Sequence, residues 1–99
     1  MKDSIININF TNAVKQAERI DQVISRLEKA SISLGASMDT LGTVWKGKSS
    51  DDYRQQGGAV QEALQKDIQY LKQISSGIKK TAGIYRKSEM QKLESSRKS

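Results

Sequence analysis

Trp45-Lys46-Gly47-Lys48-Ser49-Ser50-Asp51-Asp52 lies near the midpoint of a 99-residue chain, and its reading decides the fold. Gly47 can adopt the left-handed backbone that ends a helix. Ser49, with Asp52 three residues on, reads as a capping box that starts the next one. Asp51 and Asp52 also suit the positive end of that second helix's dipole. A stop signal and a start signal this close together define a tight helix–turn–helix.

Backwards from Trp45, the only tryptophan, apolar residues step by three and four through Leu41, Met38, Leu34, Leu27, Ile24, Ile20, Ala17 and Ala13 to Phe10, with Ser31 the one polar exception. This is a heptad seam. Val14, Val23 and Ala30 widen it beyond a two-stranded seam toward a bundle stripe. Residues 5–10 alternate loosely and are β-branched, which predicts an extended start, with Asn9 or Thr11 capping a helix over about 10–44.

Forward from the turn the periodic positions are Tyr53, Val60, Leu64, Ile68, Leu71, Ile74 or Ser75, Ile78, Ala82 and Tyr85. Two successive steps of four, from Val60 to Ile68, predict a stutter that relaxes the supercoil. Gly57-Gly58 inside this helix costs about 1 kcal/mol per glycine relative to alanine. It marks either a weak turn or a close approach of the first helix near Leu34 to Met38. The expected organisation is one domain over 1–99: helix one about 10–44, turn about 45–49, helix two about 50–93, and a basic frayed tail about 94–99.

Composition narrows the function. With no Cys and no His, disulfides, thiol nucleophiles, imidazole bases and His/Cys metal sites are all absent. No carboxylates converge on a pocket, so the expectation is a non-enzymatic chain with no cofactor, metal or small-molecule substrate. The first ten residues lack the apolar run of a secretory signal, and no stretch is long enough for membrane insertion. Of the net charge of +6, five units lie within residues 79–99. That end is either solvated, in contact with the Asp51/Asp52 edge of a partner, or bound to an anionic surface. No binding motif or aromatic interleaving supports nucleic acid.

Two helices of this length form one layer and cover only part of each apolar stripe. The fold expected is therefore all-α: an antiparallel helix–turn–helix hairpin dimerising into an elongated four-helix bundle. Its seam comprises Phe10, Ala17, Ile20, Ile24, Leu27, Leu34, Met38 and Leu41 with Val60, Leu64, Ile68, Leu71 and Ile78.

The chain resembles the WXG-hundred (ESAT-six-like) family of small helical hairpins exported by type VII (ESX) secretion systems of Gram-positive bacteria. The resemblance rests on length, on Trp45-Lys46-Gly47 between two heptad seams, on the absence of Pro and Cys, and on small residues and Tyr53 after the turn. Tyr85-Arg86-Lys87-Ser88-Glu89 fits the family's tyrosine-x-x-x-acid export pattern. Its C-terminal end is more basic than is usual for the family.

The resemblance implies a cytoplasmic stage followed by a non-Sec, type VII route out of the cell. It implies a secreted substrate or virulence-type factor, or a carrier or chaperone of a larger effector. The implied partners are a second copy, a related helical protein or an LXG-type effector domain, and the type VII secretion ATPase. Trp45 and Gly47 would form one part of the export signal, and Tyr85 and Glu89 the other. Along a helix, 40 residues span roughly 60 Å, so Trp45 and Tyr85 meet only if an antiparallel dimer brings the turn of one chain beside the Tyr85 end of the other. The alternative is a cytoplasmic helical adaptor whose basic C-terminal tail binds an acidic partner or nucleic acid.

Overall fold

The computed structural model describes residues 1–98, and these form two helices, α1 (Lys2–Val44) and α2 (Lys48–Lys98), with no strand among them. The fold is an all-α antiparallel hairpin. No proline interrupts either helix.

α1 starts eight residues earlier than the alternation of residues 5–10 predicts. The reason lies in Ile6, which continues the seam four residues ahead of Phe10 and is buried. Burying one isoleucine is worth about 1.5–3 kcal/mol. The helix-propensity deficit of a β-branched residue is at most about 0.7 kcal/mol. The tail is also more regular than expected, since α2 runs through to Lys98. The last residue of that expected tail, Ser99, lies outside the described residues.

On α2 a run of buried and half-buried positions steps by three and four without a break, through Ser50, Arg54, Gly57, Gln61, Leu64, Ile68, Leu71, Ser75, Ile78, Ala82, Tyr85 and Glu89, with Ile74, Gly83, Met90 and Leu93 half-buried beside it. There is no stutter. Val60 is 52% exposed, and Gln61 beside it holds the seam position. Tyr53 likewise stands outside the seam, and Ser75 rather than Ile74 takes the buried place. Reading apolar residues alone misses a seam whose members are partly polar.

The chain divides into two compact units. The first comprises Met1–Asp21 and Lys72–Ser99, and the second Gln22–Leu71. In the first, Ile6, Ala17 and Ala82 are buried with Ser75. The Ser75 hydroxyl lies 2.5 Å from Asp21 Oδ1 and 3.2 Å from the Ala17 carbonyl, and Lys79 Nζ reaches Asp21 Oδ2 at 2.7 Å. Asn9 Nδ2 donates to the Tyr85 hydroxyl, and the Arg86 guanidinium sits 4.1 Å from the centre of the Phe10 ring. These cross-helix pairs fix the register of this unit.

In the second unit the buried residues are Ile24 and Ile68 with Ser31, Ser50 and Gly57. Gln61 Nε2 donates to the Ser31 carbonyl at 3.0 Å, and Gln65 Nε2 lies 3.4 Å from its hydroxyl. Of the two readings of Gly57-Gly58, the close approach is realised, and at Gly57 only. A Cβ built there would lie 2.5 Å from Met38 Sδ, whereas one at Gly58 would meet nothing within 4 Å.

Large apolar side chains are poorly covered. Among the described residues, Ile5, Ile8, Val23, Ile32, Val44, Trp45, Tyr53, Val60, Tyr70 and Ile84 are all at least 40% exposed. No helix of the described residues is long and apolar enough to cross a membrane.

Candidate recognition surfaces

The turn belongs to the second unit. α1 closes with Trp45 N–H donating to the Leu41 carbonyl at 2.9 Å. Gly47 then takes a φ of 135°, a conformation L side chains rarely adopt. Its carbonyl receives the Asp51 N–H at 3.0 Å, which opens α2. Because α2 begins at Lys48, Ser49 lies inside its first turn rather than at the cap, and both Ser49 and Asp52 are exposed. The hydroxyl that ties the turn together is that of the next residue. Ser50 is fully buried and donates to the Trp45 carbonyl at 2.6 Å.

Trp45 is therefore clamped by its backbone while its ring stays 40% exposed. One neighbour of that ring is Tyr53, with centroids 5.7 Å apart and planes tilted by 40°. Such pairs are worth about 0.5–1.5 kcal/mol beyond burial. The result is a two-ring aromatic platform at the turn.

Tyr85 and Glu89 belong to the first unit, one helical turn apart on α2 and both half-buried. They line a groove of 310 Å³ together with Lys2, Ile5, Ile6 and Leu93. Glu89 lies 3.6 Å from Lys92. Tyr85 also borders a second, mainly apolar groove of 540 Å³, shared with Asn9, Ala13, Ile74 and Ile78. No single unit brings Trp45 and Tyr85 together.

The Asp21–Ser75–Lys79 cluster is absent from the sequence reading. The Lys79 ammonium, then the Ser75 hydroxyl, hold the Asp21 carboxyl below its ordinary value, against a smaller desolvation effect. The available signal was the serine on a seam position, since a buried hydroxyl needs a partner. Gln61 carries the same kind of signal opposite Ser31.

The sequence pattern of the WXG100 family, proteins of 100 residues with WXG, matches residues 5–90. The chain belongs to the WXG100 family. WXG100 proteins are small, secreted, non-enzymatic helical proteins associated with type VII export. Within this WXG100 chain the motif's tryptophan and glycine are Trp45 and Gly47, the exposed ring and the positive-φ residue of the turn. No match was found among curated proteins or among solved structures.

Proposed function

We propose that this WXG100 protein leaves the cell by type VII secretion as one member of a helical dimer, serving as a secreted substrate or as carrier of a larger effector. The observation that carries this reading is the display of two motifs on separate units of one hairpin. Trp45 stays 40% exposed at the turn, while Tyr85 and Glu89 line an open groove. A partner hairpin packed antiparallel would bring a turn beside each Tyr85 end, so the complete signal would exist only in the assembly. The exposed apolar side chains supply the driving force. At about 25 cal/mol per Å² of apolar surface removed from water, covering even part of them stabilises the complex substantially.

The test is export. The chain is expressed in a host with an intact type VII system and in one lacking its ATPase. The expected result is protein in the medium only from the first, reduced by Trp45→Ala and by Tyr85→Ala without loss of helicity. Export that persists without the ATPase would overturn the proposal.

One observation favours a second reading, the cytoplasmic adaptor. Residues 22–71 carry six basic and six acidic side chains, while the remaining residues carry eleven and five, so the entire excess of positive charge sits on the first unit. Salt-sensitive binding to an acidic partner, with no export, would select it.

A further inference from the structure

A second line of residues runs along α2 beside the seam, at the same alternating steps of three and four. In the second unit it comprises Tyr53, Gln56, Val60, Ala63, Asp67 and Tyr70, and in the first it continues as Ile74, Gly77, Thr81 and Ile84. Tyr53, Val60, Tyr70 and Ile84 are the large apolar side chains of α2 that stand exposed among the described residues, and all four fall on this line. Charged residues are frequent elsewhere on α2, yet Asp67 is the only one here. The hairpin leaves much of the line unpartnered. A Cβ at Gly77 meets nothing within 4 Å, and Asp67 makes no hydrogen bond or ion pair among the described residues.

We infer that the partner hairpin is a second copy of this chain, docked antiparallel along this line of α2 in a single register. The inference rests on the dimer of the reading above and names its partner. A two-fold axis makes an interface self-complementary: where residue i faces j, j also faces i. In an antiparallel helix pair, facing residues then have numbers of constant sum. With the axis between Ile68 and Gln69, every member of the line faces another member. Tyr53 faces Ile84, Gln56 faces Thr81, Val60 faces Gly77, Ala63 faces Ile74, and Asp67 faces Tyr70. An unrelated hairpin need not mirror this edge, whereas a second copy does so by symmetry.

The sizes fit this pairing. Val60, 52% exposed, meets a glycine that borders the mainly apolar groove of the first unit, and Ile74 of that groove meets an alanine. Large residues opposite small ones let two helices interdigitate. Asp67 fixes the register, because a carboxylate drawn into an interface needs a donor. The Tyr70 hydroxyl of the other copy supplies one on each side of the axis. A slip of one heptad sets Asp67 against Ala63 in one direction and Gly77 in the other, and neither side chain can donate. Charge favours the antiparallel orientation. The first unit carries eleven basic against five acidic side chains and the second six against six, so each positive unit lies on a neutral one, whereas a parallel pair stacks two positive units. The same register sets Tyr53, the ring neighbour of Trp45, opposite the partner's Ile84, one residue from its Tyr85.

The chain has no cysteine, so single cysteines report the register directly. Val60→Cys is mixed in turn with Tyr70→Cys, Gly77→Cys and Ile84→Cys under mild oxidation, and disulfide-linked dimers are measured. A bridge needs Cα atoms within about 7 Å. The expected result is a bridge with Gly77→Cys alone, since Tyr70 and Ile84 mark the two slipped registers. Sedimentation then measures dimer dissociation for variants without cysteine. Gly77→Leu is expected to weaken the dimer about tenfold, because the leucine takes the place of the partner's Val60. Adding Val60→Ala should restore most of that loss. Circular dichroism should show parent helicity throughout, since the site at Gly77 is open in the hairpin. Bridging to Tyr70→Cys or Ile84→Cys instead, or a Gly77→Leu effect that Val60→Ala does not relieve, overturns the inference. A parent chain that is monomeric alone overturns it too, while ATPase-dependent export beside another helical protein leaves the export reading standing. Export without the ATPase removes that reading, and the Gly77 bridge still identifies the second copy.

Discussion

Gly47 is the residue on which the hairpin turns, and its cost of replacement is purely conformational. A Cβ there meets nothing within 4 Å, yet the φ of 135° excludes other residues without strain. Gly47→Ala is therefore expected to destabilise the chain by about 1–3 kcal/mol, read as a lower urea midpoint at unchanged slope. Asp21 offers a test in a different variable. Its carboxyl is held below the ordinary 3.8, first by Lys79 and then by Ser75. A depressed folded value contributes stability that is fully present above the unfolded value and is lost as pH falls through the folded one. Asp21→Asn should thus flatten the acid limb of a stability–pH curve, below about pH 4, and lower stability at neutral pH. An unchanged acid limb would show that the ion pair contributes nothing in solution.

At the scale of the helices, the sequence carried the heptad seam of α1 and the position of the turn, because large apolar residues at regular spacing leave few alternatives. It did not carry the start of α1, where a β-branched run disguised a seam residue, Ile6. Nor did it carry the full register of α2, where Gln61 and Gly57 occupy seam places that hydropathy passes over, as with Val60 beside Gln61, and where the choice left open between Ile74 and Ser75 falls to Ser75. These polar and small residues allow close packing and are satisfied across the helix pair, which periodicity alone cannot reveal. The two adjacent glycines separate the effects. Gly58→Ala is expected to stabilise by up to about 1 kcal/mol through helix propensity alone. Gly57→Ala should recover much less or destabilise, because Met38 must move aside. Equal thermal shifts for the two variants would contradict the close approach.

The residues of the turn and of the groove at Tyr85 were legible to different degrees for the same reason. Trp45, Gly47, Tyr85 and Glu89 stand out by type and spacing. The part played by Ser50, Asn9 and Ile5 depends on which side chains the fold brings beside them. Ser49 and Asp52 had the spacing of a cap, but α2 begins two residues sooner, directly after the positive-φ Gly47.

At the scale of the whole molecule, a single chain leaves much of its large apolar surface in water while its seam is partly polar. The hairpin is expected to be half of an assembly. Light scattering on the purified chain, and on the chain co-expressed with a related helical protein, tests that directly. The expected mass is twice the 11.0 kDa of one chain, or the sum of one copy of each protein. A mass of 11.0 kDa in both preparations at micromolar concentration would contradict it.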